Sequence, residues 1–95
     1  MGIDPVQGKR DEILRVARRH GAGRVRIFGS IARGKAMPDS DIDILVEMER
    51  GRSLFDLIAL AEELEQLLGR RVDVVTETSL SPYIRDRVLA EAIAV

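Results

Sequence analysis

With 95 residues, a third of them charged, a net charge of -1 and no cysteine, the chain has room for one domain and one modest core. It excludes disulfides, thiolate metal sites and a cysteine nucleophile. The near-neutral balance is not that of a basic nucleic-acid glove, and Phe28, Phe55 and Tyr83 are too few aromatics for a base-stacking platform, so independent nucleic-acid binding is not expected.

No apolar run is long enough to span a bilayer and the N-terminus lacks an apolar signal core. A soluble, cytoplasmic protein with no membrane contact is the expectation. Residues 1–9, with Gly2, Pro5 and Gly8, read as a flexible lead-in. From Lys9 to His20, Ile13, Leu14, Val16 and Ala17 recur at helical spacing, and Gly21 is a natural stop. His20, in the last turn, suits carbonyl capping better than catalysis. Arg24 to Phe28 reads as a strand with Val25 and Ile27 on one face, broken by Gly29. Ser30 to Arg33 can form one helical turn, stopped by Gly34, before a polar loop over residues 35–40 that holds Pro38.

Asp41 to Met48 is the second predicted strand, with Ile42, Ile44 and Val46 sharing a face. Ser53 and Asp56 have the spacing of a capping box. The helix they open runs to Leu68, with an apolar stripe of Leu54, Leu57, Ile58, Ala61, Leu64 and Leu68, and Gly69 ends it. Arg71 to Val75 is a third strand, where Asp73 interrupts Val72 and Val74. Ser81 and Pro82 are the N-cap and first residue of a last helix, and Ala92 to Val95 is an apolar tail. The predicted class is α/β (α+β): a single domain over 1–95, with a small mixed sheet of three to four strands flanked by helices.

The chemistry concentrates in Gly29-Ser30, ten residues, then Asp41-Ile42-Asp43. Side chains alternate along a strand, so Asp41 and Asp43 point the same way while Ile42 and Ile44 point into the core. Two neighbouring carboxylates repel and raise each other's pKa, which gains little unless a cation sits between them; Mg²⁺ favours such hard oxygen ligands. If the third strand lies beside the second, Asp73 joins the pair, as a further ligand in a two-metal site or as a general base for an incoming hydroxyl. Gly29 lets a phosphate approach the backbone, the Ser30 hydroxyl can add a hydrogen bond, and Arg33 and Lys35 can neutralise developing charge. Each piece has a bland alternative: Gly29-Ser30 as a plain turn, Asp39-Ser40-Asp41 as loop chemistry, Asp43 as an exposed strand residue, Asp73 as a partner of Arg70 or Arg71, Tyr83 as packing rather than a modification site.

At these residues, Phe28-Gly29-Ser30-Ile31-Ala32-Arg33-Gly34 and Pro38-Asp39-Ser40-Asp41-Ile42-Asp43-Ile44-Leu45-Val46, the chain resembles the DNA polymerase β-type nucleotidyltransferase superfamily, and most closely its minimal (MNT) branch. The resemblance extends to Arg71-Val72-Asp73-Val74-Val75 and Ser81-Pro82-Tyr83-Ile84-Arg85. It implies a polymerase β-like core, Asp41, Asp43 and Asp73 as the carboxylates that hold Mg²⁺, and Gly29 and Ser30 as the triphosphate site, with ATP as nucleotide donor. It also implies a HEPN-type toxin as partner, inactivated by transfer of AMP to a tyrosine, with this chain as the antitoxin. Inhibition of the toxin by binding alone, and transfer to RNA or to a small molecule, are the alternatives.

Overall fold

Polar and apolar residues that alternate along one strand give it two unlike faces, and the whole molecule is arranged around that difference. In the computed structural model, which describes residues 6–35, 37 and 40–95, the chain order is α1 (Arg10–Arg19), β1 (Ala22–Phe28), α2 (Gly29–Ala32), β2 (Ile42–Met48), α3 (Leu54–Leu68), β3 (Val72–Thr76), α4 (Pro82–Glu91) and β4 (Ile93–Ala94). The strands form one mixed sheet in the order β3-β2-β1-β4. β1 is antiparallel to both β2 and β4, while β2 and β3 are parallel, as the α3 crossover between them allows. The α/β reading with a small mixed sheet of three to four strands therefore holds, with four strands present. Among the described residues no helix is long and apolar enough to cross a membrane.

One face of the sheet is closed. Ile42, Ile44 and Val46 of β2, Val25 and Ile27 of β1, and Val72 and Val74 of β3 pack with Ile13, Val16 and Ala17 of α1 and Leu60 and Leu64 of α3. The capping box that opens α3 is present: the Ser53 hydroxyl accepts from the Phe55 N–H, and the Asp56 carboxylate accepts from the Ser53 N–H at 2.8 Å. Gly69 closes α3 in the left-handed conformation. At the other end of the chain, Ser81 caps α4 with Pro82 as its first residue.

Three details differ from the sequence reading. The α3 stripe is rotated: Leu60 is fully buried, whereas Leu54 is 68 % and Ile58 47 % exposed. Apolar residues lie almost all round the first two turns of α3, so periodicity alone does not select the arc that meets the sheet; packing selects the one through Leu57, Leu60, Ala61 and Leu64. Strand β1 begins two residues early, at Ala22, because an irregularity between Gly23 and Arg26 lets the pairing with β2 continue past Arg24, which has φ +46°. Within the lead-in expected over residues 1–9, Val6 is buried in the main core and Gln7–Lys9 form a 3-10 turn, because an apolar side chain there has core to join. Residues 1–5 of that lead-in, and Ala36, Pro38 and Asp39 of the polar loop, lie outside the described residues.

The opposite face is half covered. Leu45 of β2 is buried with Leu80 and Val88, and Phe28, Val75, Leu89 and Ala92 pack around them. This smaller core lies under α4 and stops short of the next β2 residue on that face, Asp43.

Candidate active site

Gly29 follows the last residue of β1 with φ +76°, a conformation that glycine adopts without a side-chain penalty. A second demand falls on the same position. A Cβ on residue 29 would overlap Oδ2 of Asp43 and come within 3.1 Å of its Cγ. The turn after β1 thus packs directly on a carboxylate of the neighbouring strand, and the two halves of the sequence motif meet there.

Strand register brings in the next group. Phe28 is opposite Asp43 across β1 and β2, and Asp43 is opposite Asp73 across the parallel β2 and β3. Facing residues on adjacent strands share a side of the sheet, so Asp43 and Asp73 stand together at the open end of the half-covered face. Asp41 lies one residue before β2, exposed. The approach to it is fixed by Arg70, whose guanidinium donates to the carbonyl of Met37 at 3.0 Å and to that of Ser40 at 2.5 Å and 3.2 Å. The pairing of β2 with β3 then starts with the Ile42 N–H on the Arg71 carbonyl, 2.9 Å. Arg70 therefore braces the loop rather than neutralising Asp73.

Among the described residues no ion pair involves Asp41, Asp43 or Asp73. Burial pushes the Asp43 carboxyl above its ordinary value of 3.8, and the charges of Asp73 and then Asp41 push it further; Arg33 pulls the other way and Glu91 adds to the rise. Among the described residues no three acidic or imidazole side chains are gathered closely enough to enclose a cation by themselves. A facing pair of carboxylates with an excess of negative charge nonetheless suits a hard cation that completes its shell with water and substrate phosphate, as Mg²⁺ does. Asp43 and Asp73 have the positions for such a pair, with Asp41 beside them.

The residues expected to form an anion site lie on the same side, at the start and end of α2. Arg33 ends α2 next to the Gly29 turn, and both are engaged by Glu91 of α4. The Gly29 N–H donates to Glu91 Oε2 at 2.7 Å, and Arg33 Nη1 donates to Oε1 and Oε2 at 3.1 Å. Ser30 is half-buried, and its carbonyl accepts from the Lys35 N–H at 2.8 Å, which turns the chain back over α2. Glu91 escaped the sequence reading, and Arg70 entered it only as a possible partner of Asp73, not as the brace of the loop. For Glu91 a signal existed: an acidic residue in the last turn of a helix opposes the helix dipole and asks for a compensating donor. Nothing local marks Arg70. His20 stands apart from these groups, its Nε2 2.7 Å from Glu63 Oε1, in a pair that Arg19 joins.

This geometry, a glycine turn on a strand end beside paired carboxylates, agrees with comparison to known proteins. A family model described as nucleotidyltransferase domain matches residues 10–95. The chain belongs to that family. Among nucleotidyltransferase relatives, MJ0435 of Methanocaldococcus jannaschii, assigned as a protein adenylyltransferase, is 46 % identical over 95 residues, which cover 100 % of this chain and 99 % of that protein. Protein adenylyltransferase MntA of Thermococcus cleftensis is 48 % identical over 77 residues, 81 % of this chain and 78 % of that one. Two solved structures extend the likeness to three dimensions. One, assigned as a minimal nucleotidyltransferase, superposes with TM-score 0.87 at 49 % identity, covering 100 % of this chain and 97 % of that chain. The other, a toxin-antitoxin with AMP-PNP, gives TM-score 0.76 at 26 % identity over 88 % of this chain and 69 % of that chain. The resemblance to the minimal branch, the mixed-sheet nucleotidyltransferase fold and the assignment to an enzyme class are thereby borne out.

Proposed function

We propose that this nucleotidyltransferase moves AMP from ATP to a tyrosine of a HEPN-type toxin in the cytoplasm, and so acts as the antitoxin of the pair. The observation that carries the reading is the single cluster formed by the Gly29 turn, Asp43 and Asp73. It sets a backbone N–H that already donates to a carboxylate oxygen beside carboxylates that form no ion pair among the described residues. The naming of two relatives as protein adenylyltransferases supports the protein acceptor. The similarity to a toxin-antitoxin with AMP-PNP supports both the adenine nucleotide and the toxin.

In this reading Gly29, Ser30 and Arg33 hold the triphosphate, with Lys35 near its outer end. Asp41 and Asp43 would hold Mg²⁺ with Asp73 as the third carboxylate, and the ion when bound would polarise the phosphate oxygens and offset their charge. The tyrosine oxygen attacks the α-phosphorus, an ester bond to AMP forms, the bond to the β-phosphate oxygen breaks, and pyrophosphate leaves. Asp73, exposed on β3, is the group that takes the tyrosine proton.

The test is intact-mass spectrometry of the chain and its toxin partner after incubation with Mg²⁺ and each nucleoside triphosphate in turn. The expected result is a gain of one or more AMP groups on the toxin, from ATP alone, abolished by Asp43→Ala. A stable complex with no mass gain would move the function to inhibition by binding. Efficient modification of RNA or a small molecule without the toxin would move the acceptor.

A further inference from the structure

Glu91 sits where helix electrostatics disfavour it. It is the last residue of α4, at the negative end of the helix dipole, and the last turn of α4 holds no basic residue. Yet its side chain is only 18 % exposed. The compensation lies across the site: one backbone N–H and one guanidinium, from Gly29 and Arg33, converge on this carboxylate. Charge-assisted contacts of that kind are the stronger class of hydrogen bond, and they hold the Glu91 carboxyl below its ordinary value, with the Gly29 N–H as the main cause.

A carboxylate oxygen and a phosphate oxygen make the same demands on an N–H and a guanidinium. We infer that Glu91 sets the nucleotide affinity of the site: its carboxylate occupies the Gly29 amide and Arg33 in the free protein, and a phosphate group of the donor nucleotide must displace it to bind. This rests on the reading that Gly29 and Arg33 receive the triphosphate. The local structure permits the exchange. Beyond Glu91 the backbone is fixed by the short β4 pairing, Arg26 with Ala94 and Ile27 with Ile93, by the Val95 N–H on the Val25 carbonyl at 3.1 Å, and by Ala92 and Val95 packing on the two cores. Displacement thus needs a rotation of the Glu91 side chain alone, with the backbone around it left in place. Glu91 also adds to the negative charge felt by Asp43, so its withdrawal would ease the approach of a polyanion to the carboxylates.

Two variants of the full chain separate occupancy from a general field effect, with Mg²⁺ and AMP-PNP titrated calorimetrically into each. Glu91→Gln keeps the shape and a carbonyl that can still accept from Gly29, but loses the charge. Glu91→Asp keeps the charge and withdraws it by one methylene. Occupancy predicts a Kd about 3- to 10-fold lower for Glu91→Gln, the range that loss of one charged hydrogen-bond competitor gives, and a smaller decrease for Glu91→Asp. An unchanged or higher Kd for Glu91→Gln would overturn the inference, since Glu91 would then be supporting the turn. A lower Kd for Glu91→Gln with Glu91→Asp equal to the parent would also overturn it, in favour of charge acting at a distance. If Glu91→Gln does not fold, the same titration of Glu91→Asp decides, a Kd equal to or above the parent being the negative result. Absence of binding by the parent itself is a different failure: it would remove the nucleotide site proposed above, and this inference with it.

Discussion

The two faces of the β2 strand have opposite fates. Ile42, Ile44 and Val46 look into a core closed by α1 and α3, and all three are buried. On the other face, Leu45 is covered by Leu80 and Val88 from the α4 side, but Asp43, two residues earlier, is left at the edge of that cover with Asp73 opposite it. One stretch of seven residues thus supplies the hydrophobic anchor of the fold and a carboxylate whose charge burial and neighbouring aspartates oppose. The difference shows how a chain this short accommodates a charged site: the closed face supplies the stability, and the half-open face is free to hold groups that oppose it.

The largest effect is expected on the closed face. Leu60 is fully buried between α3 and the sheet, and truncating such a side chain removes its transfer free energy and leaves a cavity. Leu60→Ala should cost about 2–5 kcal/mol in urea unfolding, a large part of the stability of a domain of this size. A loss below about 1 kcal/mol would mean that the α3 packing collapses readily and that the closed face is less decisive than its burial indicates.

Gly29→Ala probes the seam between the faces. Alanine at φ +76° is strained, and its Cβ would strike the Asp43 carboxylate, so about 1–3 kcal/mol of stability should go. Transfer activity, read by the mass-spectrometric assay, should fall much further than that loss of stability explains. Activity close to that of the parent would show that the turn does not have to approach Asp43 so closely.

These two sites also show what was legible in the amino-acid order. The closed face could be read because alternation in β2 and β3 and the 3.6-residue pattern of α1 each point to one solution. The α3 stripe could not be read to the residue, because Leu54, Phe55, Leu57, Ile58 and Leu60 surround the helix and only contact with the sheet chooses among them. On the open face, Gly29, Asp43 and Asp73 were legible because glycine before a polar turn and aspartate inside apolar strands break local rules. Their convergence depended on strand order, which the parallel pairing of β2 with β3 decides. Glu91 lies 62 residues from Gly29, and Arg70 reaches carbonyls 30 and 33 residues away. A contact between a side chain and a distant backbone group leaves no periodic trace, so neither partner could be read before the fold, although the acidic residue at the end of α4 marks the need for one.

The smallest expected change in stability has the opposite sign. Asp43 is pushed above its ordinary value of 3.8 first by burial and then by Asp73 and Asp41, so its ionised form is disfavoured in the folded chain relative to the unfolded one. Between that ordinary value and the raised one the folded protein binds more protons, and stability falls as pH rises through the interval. Asp43→Asn removes the charge and keeps the shape. At neutral pH it should raise the thermal midpoint, and the gain should shrink on acidification and approach zero only well below pH 3.8, where the parent carboxyl is protonated in both states. The same substitution should abolish nucleotidyl transfer. Added Mg²⁺ should stabilise the parent protein and have less effect on the variant, because a ligand that binds only the folded state stabilises in proportion to its occupancy. A lower midpoint for Asp43→Asn at neutral pH, in the absence of metal, would mean that the carboxylate is compensated in the fold and that the open face carries no electrostatic cost.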